Sequence, residues 1–212
     1  MASSFSDQIP TIINIIRQLK PLKILDIGKG FGKYGFLIHE YVGIPSDKKI
    51  DSDLTLKEQS NIIIDCVEVD KTLMLKHISH IYRNIFFSDI FDLYQKLTED
   101  YDLILMIDVI EHLSKDKSLK MLQHFLDQNI DILIATPKDF FQQELYESIY
   151  ENHISSWSVD DFKNLKNAII QKQKIESGLV FFLSTRKVAF TGFGNSFLTK
   201  LKRIRRQLLS EI

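Results

Sequence analysis

The chain has 212 residues, a net charge of −1 and 44% hydrophobic residues, enough for one full core or for one domain with an appendage. A charge this balanced exerts no global pull on nucleic acid, and a single cysteine, Cys66, excludes an intramolecular disulfide framework and a cysteine-rich zinc site. No apolar run approaches the ~18 residues that span a bilayer, and residues 1–7 lack the basic start and apolar core of a signal peptide, so a cytoplasmic location is expected.

Residues 8–19 carry isoleucine or leucine at 9, 12, 13, 15, 16 and 19, a spacing that predicts an amphipathic helix ending before Pro21 and covering one edge of a sheet. A short apolar strand at 23–27 then opens into Gly28-Lys29-Gly30-Phe31-Gly32. Glycines in that pattern predict a tight turn whose backbone meets a ligand, because a side chain would block both the left-handed angles and the approach. Residues 33–41 continue as a helix. The polar stretch 44–53 fits neither period and reads as a surface loop, longer than a compact strand-helix-strand unit needs. Further strands are predicted at 62–69, 84–88, 102–108, 130–136, 169–176 and 179–185. The first five strands are apolar on both faces, as in a parallel sheet covered by helices. The alternation predicts an α/β fold: a doubly wound, mostly parallel seven-stranded sheet with helices on both faces and ligands at the carboxyl ends of the strands. Gly178 allows only a short turn inside the closing pair, so the last strand is predicted antiparallel. Cys66, inside an apolar run, reads as a buried structural thiol.

Two ligand classes use a strand, a glycine turn and a helix. A dinucleotide fingerprint needs G-x-G-x-x-G directly after the strand, but the sixth position from Gly28 is Lys33. The frame beginning at Gly30 fits, yet it starts late and leaves Asp26 unexplained. The array Asp26-x-Gly28-x-Gly30-x-Gly32 instead resembles motif I of the class I S-adenosylmethionine-dependent methyltransferases. A carboxylate there suits a ligand carrying an amine and a sulfonium and would repel a pyrophosphate. Lys29 is unusual company for such a cation unless its side chain points to solvent.

The resemblance extends along residues ~20–185 and implies a role for each later strand end. Val67-Glu68-Val69-Asp70 resembles the family's G-V-E-x-D pattern, which implies that Glu68 accepts the ribose hydroxyls while Asp70 caps the next helix, with the exchanged roles also open. At Ser88-Asp89-Ile90 the family has an acid that takes the adenine amino group beside a backbone N–H; Asp89 is the candidate and also reads as an N-cap. Asp108-Val109-Ile110-Glu111-His112-Leu113 resembles the segment after strand four of many small-molecule methyltransferases. Asp108 is thereby expected near the methionine moiety or the acceptor, and Glu111 and His112 as proton acceptors. His112 equally reads as a turn histidine bonding backbone. Thr136-Pro137, Gln142, Gln143 and Asn152-His153-x-Ser155-x-Trp157-Ser158-x-x-Asp161-Phe162 resemble the acceptor side of a subgroup of these enzymes. His153 is a third candidate base, Ser158 and Asp161 read as a capping pair for a helix that buries Phe162 and Leu165, and the same segment also reads as a lid packed on itself.

No N-P-P-Y, D-P-P-Y or catalytic P-C follows the strands, which argues against base-flipping nucleic-acid enzymes. Neither a phosphate-binding loop nor H-x-x-x-H spacing occurs, so no metal is expected. The chain is thus read as a methyltransferase domain over 1–192, including the N-terminal helix at 1–20, followed by a basic amphipathic helix over 193–212. In that tail Phe197, Leu201, Ile204 and Leu208 share a face, with five basic residues between 200 and 206. It would dock on its own domain, bind a partner, grip RNA or lie on anionic lipid as a peripheral membrane contact. The cofactor expected is S-adenosyl-L-methionine and the acceptor a small molecule or glycan, not nucleic acid. Two alternatives stand beside this: a nicotinamide-dependent oxidoreductase, and a catalytically silent partner module.

Overall fold

The computed structural model describes residues 4–98, 100–139 and 149–192. Gln142, Gln143 and the basic tail at 193–212 lie outside them. Seven strands form one sheet in the order β3-β2-β1-β4-β5-β7-β6. They are β1 (Lys23–Ile27), β2 (Ile63–Glu68), β3 (Ile85–Phe87), β4 (Leu103–Ile107), β5 (Asp131–Pro137), β6 (Ile169–Lys174) and β7 (Gly178–Ser184). β1 to β5 are parallel, while β7 runs antiparallel to both β5 and β6. All seven expected strands are present, with boundaries within two residues of the expectation.

The central strands are apolar on both faces because both faces are covered. β4 is buried at all five positions, and its alternating residues divide between two cores. Leu103, Leu105 and Ile107 join the cluster on one face, and Ile104 and Met106 the cluster on the other. The first helix, α1 (Ile9–Leu19), buries Ile12, Ile13, Ile15 and Ile16. These four share a cluster with Ile24 of β1, Leu105 of β4, Leu133 of β5 and Phe182 of β7. The helix therefore covers the face over the central strands, not an edge. Two pairs of isoleucines either side of Asn14 put a broad apolar stripe on one face of the helix, too wide for an edge contact.

The helix after the glycine turn, α2 (Lys33–Ile38), ends in a π-helical turn over His39–Gly43. The polar stretch that follows is exposed but regains order in the short α3 (Leu56–Gln59), started by a Thr55–Glu58 capping box. Further helices are α4 (Ile78–Ile81), α5 (Ile90–Leu93), α6 (Lys115–Asp127) and α7 (Val159–Phe162). Cys66 is fully buried in the apolar cluster beside α1, where burial pushes its thiol pKa up. Among the described residues, no helix is long and apolar enough to cross a membrane.

Candidate active site

A cleft of about 740 Å³ opens at the carboxyl ends of β1, β2, β4 and β5 and after β3. Its volume falls within the range of small-molecule sites. It is lined by Asp26, Gly28, Gly30, Glu68, Asp70, Ser88, Asp89, Ile90, Asp108, Glu111, His112 and His153, so twelve of the thirteen residues expected from sequence converge on one cavity. Gly32 is the exception. It caps α2 with φ 79°, and a Cβ there would meet Ile78 at 2.9 Å, so it shapes the turn from behind.

The glycine turn supplies backbone space. At Gly28 (φ 70°) a Cβ would collide with Val109, whereas at Gly30 (φ 51°) a Cβ would meet nothing within 4 Å. The open side of Gly30 is where a ligand can lie against the chain. The three glycine amides are already committed inside the protein. Gly28 N donates to Val67 O at 2.8 Å and Gly32 N to Lys29 O at 2.8 Å, while Gly30 N donates to Glu68 Oε2 at 3.2 Å.

Carboxylates surround this turn. Asp26, 3% exposed, accepts a hydrogen bond from Tyr82 Oη at 2.6 Å; burial pushes its pKa up to about 6, against the opposing pull of Tyr82 and Lys29. Glu68 is buried and receives backbone N–H groups from Gly30 and, at 3.0 Å, from Asp70; burial again raises its pKa. Asp70 accepts from Thr72 N at 2.9 Å and caps the following turn, and Asp89 accepts from Phe91 N at 2.8 Å and caps α5. Both therefore hold the capping roles expected of them. Lys29 is not turned to solvent. It is 5% exposed, and its Nζ donates to Leu73 O at 3.0 Å and Gly30 O at 3.2 Å. Carbonyl ligation and the nearby Asp26 and Glu68 charges make its burial tolerable.

The other half of the cleft is built around β4. Asp108 adopts a left-handed φ of 51°, uncommon for residues other than glycine although aspartate is among those that adopt it. Its Oδ1 accepts from Gln8 Nε2 at 3.0 Å, while Oδ2 is buried without a hydrogen-bond partner among the described residues, and burial raises its pKa to about 6. Glu111 is 3% exposed. Its Oε2 accepts from Thr136 Oγ1 at 3.1 Å, and Oε1 is buried without a partner among the described residues. Burial, reinforced by the Asp108 charge, raises the pKa of Glu111 to about 8. His112 Nδ1 lies 3.1 Å from Asn152 O. A carbonyl can only accept, so Nδ1 carries the hydrogen and the Nε2 lone pair is directed elsewhere. Burial lowers the His112 pKa, so the ring is neutral at neutral pH.

Residues 152–157 complete this half because the turn at 110–111 binds them as a strand neighbour would. Ile154 N and Ser155 N donate to Glu111 O at 2.9 and 3.0 Å. Ser155 Oγ and Trp157 Nε1 each reach Ile110 O at 3.1 Å. Trp157 is a core anchor that stacks on Phe162 with ring centroids 5.2 Å apart. His153, by contrast, lines the cleft. The Ser158–Asp161 capping box is present, and Phe162 and Leu165 are buried as expected.

The absence of H-x-x-x-H spacing says nothing about donors from separate segments, and here Glu111, His112 and His153 present donor atoms within 4.8 Å of one another. Tyr82 and Gln8, which hold Asp26 and Asp108, are not marked by any local pattern, lying 56 and 100 positions from their partners; Thr136 belongs to the Thr136-Pro137 pattern, but its bond to Glu111, 25 positions away, does not follow from it.

No protein-family model matches the chain, and no curated protein matches it by sequence. Solved structures match it by shape. The methyltransferase domain of bacterial CtHen1 superposes with a TM-score of 0.54 at 15% identity, over 84% of this chain and 97% of that one. A SAM-dependent methyltransferase from Archaeoglobus fulgidus gives 0.57 at 14% identity, over 84% and 92%. An O-methyltransferase family protein from Burkholderia thailandensis gives 0.58 at 10% identity, over 86% and 57%. Together with the strand order, these likenesses establish the class I methyltransferase fold for this chain.

Proposed function

We propose that this chain is an S-adenosyl-L-methionine-dependent methyltransferase that moves a methyl group to an oxygen or nitrogen of a small molecule or glycan. The observation that carries this reading is the ring of carboxylates around an open glycine turn. Asp26, Glu68 and Asp108 line one cleft with the uncovered face of Gly30. The residues suit the group: a cationic amine and sulfonium meet acids, and the buried, unpartnered Asp108 Oδ2 offers an acceptor for a donor on the ligand.

A dinucleotide fits less well. Its pyrophosphate would need backbone N–H donors at the turn, but those of Gly28, Gly30 and Gly32 are spent internally. Three nearby carboxylates would also repel it.

When bound, S-adenosyl-L-methionine supplies a methyl activated by its sulfonium; the acceptor atom bonds to that carbon as the C–S bond breaks, and the electron pair stays on sulfur. The protein's contribution is alignment, which can supply ~7–11 kcal/mol. Glu68 would hold the ribose hydroxyls and Asp26 the amino-acid end, with Asp89 at the adenine amino group. On the far side, His112 presents a neutral imidazole whose Nε2 can take the proton that an acceptor hydroxyl loses. Glu111 is mainly protonated at neutral pH, given its pKa near 8, and becomes a base only above that.

The test is transfer of isotope-labelled methyl from S-adenosyl-L-methionine to panels of sugars, phenols, amines and carboxylic acids, with an RNA and a DNA oligonucleotide included. Labelled product with a small molecule or glycan, lost in Asp26→Ala, supports the reading. Label on the oligonucleotides alone would refute the acceptor class, and no cofactor binding at all would refute the activity.

A further inference from the structure

Glu111, His112 and His153 form a cluster of which the methyl-transfer chemistry above uses only single members as bases; a metal on His112 Nε2 would take up the lone pair assigned there to proton acceptance and replace that role. Their donor atoms lie within 4.8 Å of one another, all three line the cleft, and the two imidazole rings meet edge to face with centroids 4.9 Å apart. A metal bound at ~2.0–2.2 Å to each ligand holds its donors up to ~4 Å apart, so the set must draw in by roughly 1 Å to share one ion.

The surroundings are those of a supported ligand set. Thr136 Oγ1 holds Glu111 Oε2, and the buried Oε1 has no partner among the described residues. Asn152 O fixes the His112 tautomer through Nδ1, so that Nε2 is the ligating nitrogen. The backbone bonds from Ile154 and Ser155 to Glu111 O tie the segment carrying His153 to the turn carrying the other two ligands. Such orientation by neighbours is what separates a ligand site from a chance grouping.

We propose that Glu111, His112 and His153 bind one divalent transition-metal ion at the acceptor end of the cleft, with its open coordination positions facing the cavity and available to an oxygen of the methyl acceptor. Two neutral imidazoles and one carboxylate favour zinc, cobalt, manganese or iron over magnesium or calcium, which want oxygen ligands. Three protein ligands leave positions for water or for a substrate oxygen. The role of the open positions rests on the methyltransferase reading; metal binding itself does not.

The experiment titrates chelator-treated, untagged protein with Co²⁺ and follows the visible ligand-field absorption, with S-adenosyl-L-homocysteine binding measured on the same samples. The expected result is saturation at one Co²⁺ per chain, displacement of the band by Zn²⁺, and at least ~10-fold weaker binding in each of Glu111→Gln, His112→Ala and His153→Ala. His124→Ala, on α6 outside the cleft, retains the band. Thermal melts report whether each variant folds, and His153→Gln, which removes the imidazole at similar volume, replaces His153→Ala if that protein does not fold. Absence of the band in the wild type, or an unchanged band in folded His112 and His153 variants, overturns the proposal. S-adenosyl-L-homocysteine binding without Co²⁺ binding would defeat the metal site alone; Co²⁺ binding without the nucleotide would defeat the methyltransferase reading alone.

Discussion

The two halves of the cleft use carboxylates in opposite ways. Around the glycine turn they are engaged: Asp26 by Tyr82, Glu68 by two backbone N–H groups, Asp70 and Asp89 by the turns they cap. Around the end of β4, Asp108 and Glu111 each keep one buried oxygen without a partner among the described residues. A buried polar atom left unpaired costs ~1–3 kcal/mol, and a fold tolerates that cost where a ligand will engage the atom. The glycine-turn half is thus a finished surface against which a cofactor can lie, and the β4 half is a site awaiting a partner.

The largest expected effect comes from detaching the β4 half. Trp157→Ala removes the indole that stacks on Phe162 and bonds Ile110 O, and should cost about 3–5 kcal/mol of stability by chemical denaturation. Nucleotide affinity should survive under conditions where the variant is folded, because the partners of Trp157, namely Ile110, Ser155 and Phe162, belong to the β4 half. Loss of nucleotide binding in folded Trp157→Ala would dissolve the distinction between the halves.

Next in size is the pH dependence carried by Glu111. In metal-free protein its pKa of about 8 lies above the ordinary 4.5, so the unfolded chain releases this proton first. Its contribution to stability therefore falls as pH rises from about 4.5 to about 8 and is constant above that. Glu111→Gln lacks this loss. The variant should gain on wild type across that window, by on the order of 3 kcal/mol at its upper end; equal slopes in urea melts at several pH values would contradict the burial argument.

A third effect reads the glycine-turn half. Glu68→Ala should weaken S-adenosyl-L-homocysteine binding by about 1.5–3 kcal/mol, the worth of hydrogen bonds to a charged group, while leaving Co²⁺ binding intact. The smallest effect is that of Asp26. With a pKa near 6, it is ionised and attractive to the ligand's amine above that pH and neutral below it. Nucleotide affinity should therefore drop as pH falls through 6, by at most ~10-fold per unit, and Asp26→Asn should flatten that dependence.

The same division explains what could be read from the sequence. The glycine turn, Glu68, Asp70 and Asp89 belong to contiguous strand-turn-helix units, so their spacing carries their geometry. Asp108, Glu111 and His112 were legible for the same reason, as one segment after β4. Their relation to His153 was not, because it depends on residues 154–157 bonding the turn at 110–111 across more than 40 positions. Lys29 illustrates a further gap: its burial follows from Leu73 O lying 44 positions away, a partner that no local pattern reveals. The placement of α1 on a sheet face similarly needed the tertiary contacts of its isoleucines.

The central claim, that the glycine-turn half is built for a cationic sulfur nucleotide, is tested most directly by calorimetric titration with S-adenosyl-L-methionine, S-adenosyl-L-homocysteine and NAD on wild type, Asp26→Ala and Glu68→Ala. The account predicts binding of both sulfur nucleotides, sharply weakened in each variant, and no binding of NAD. Binding of NAD alone, or of none of the three, would contradict it.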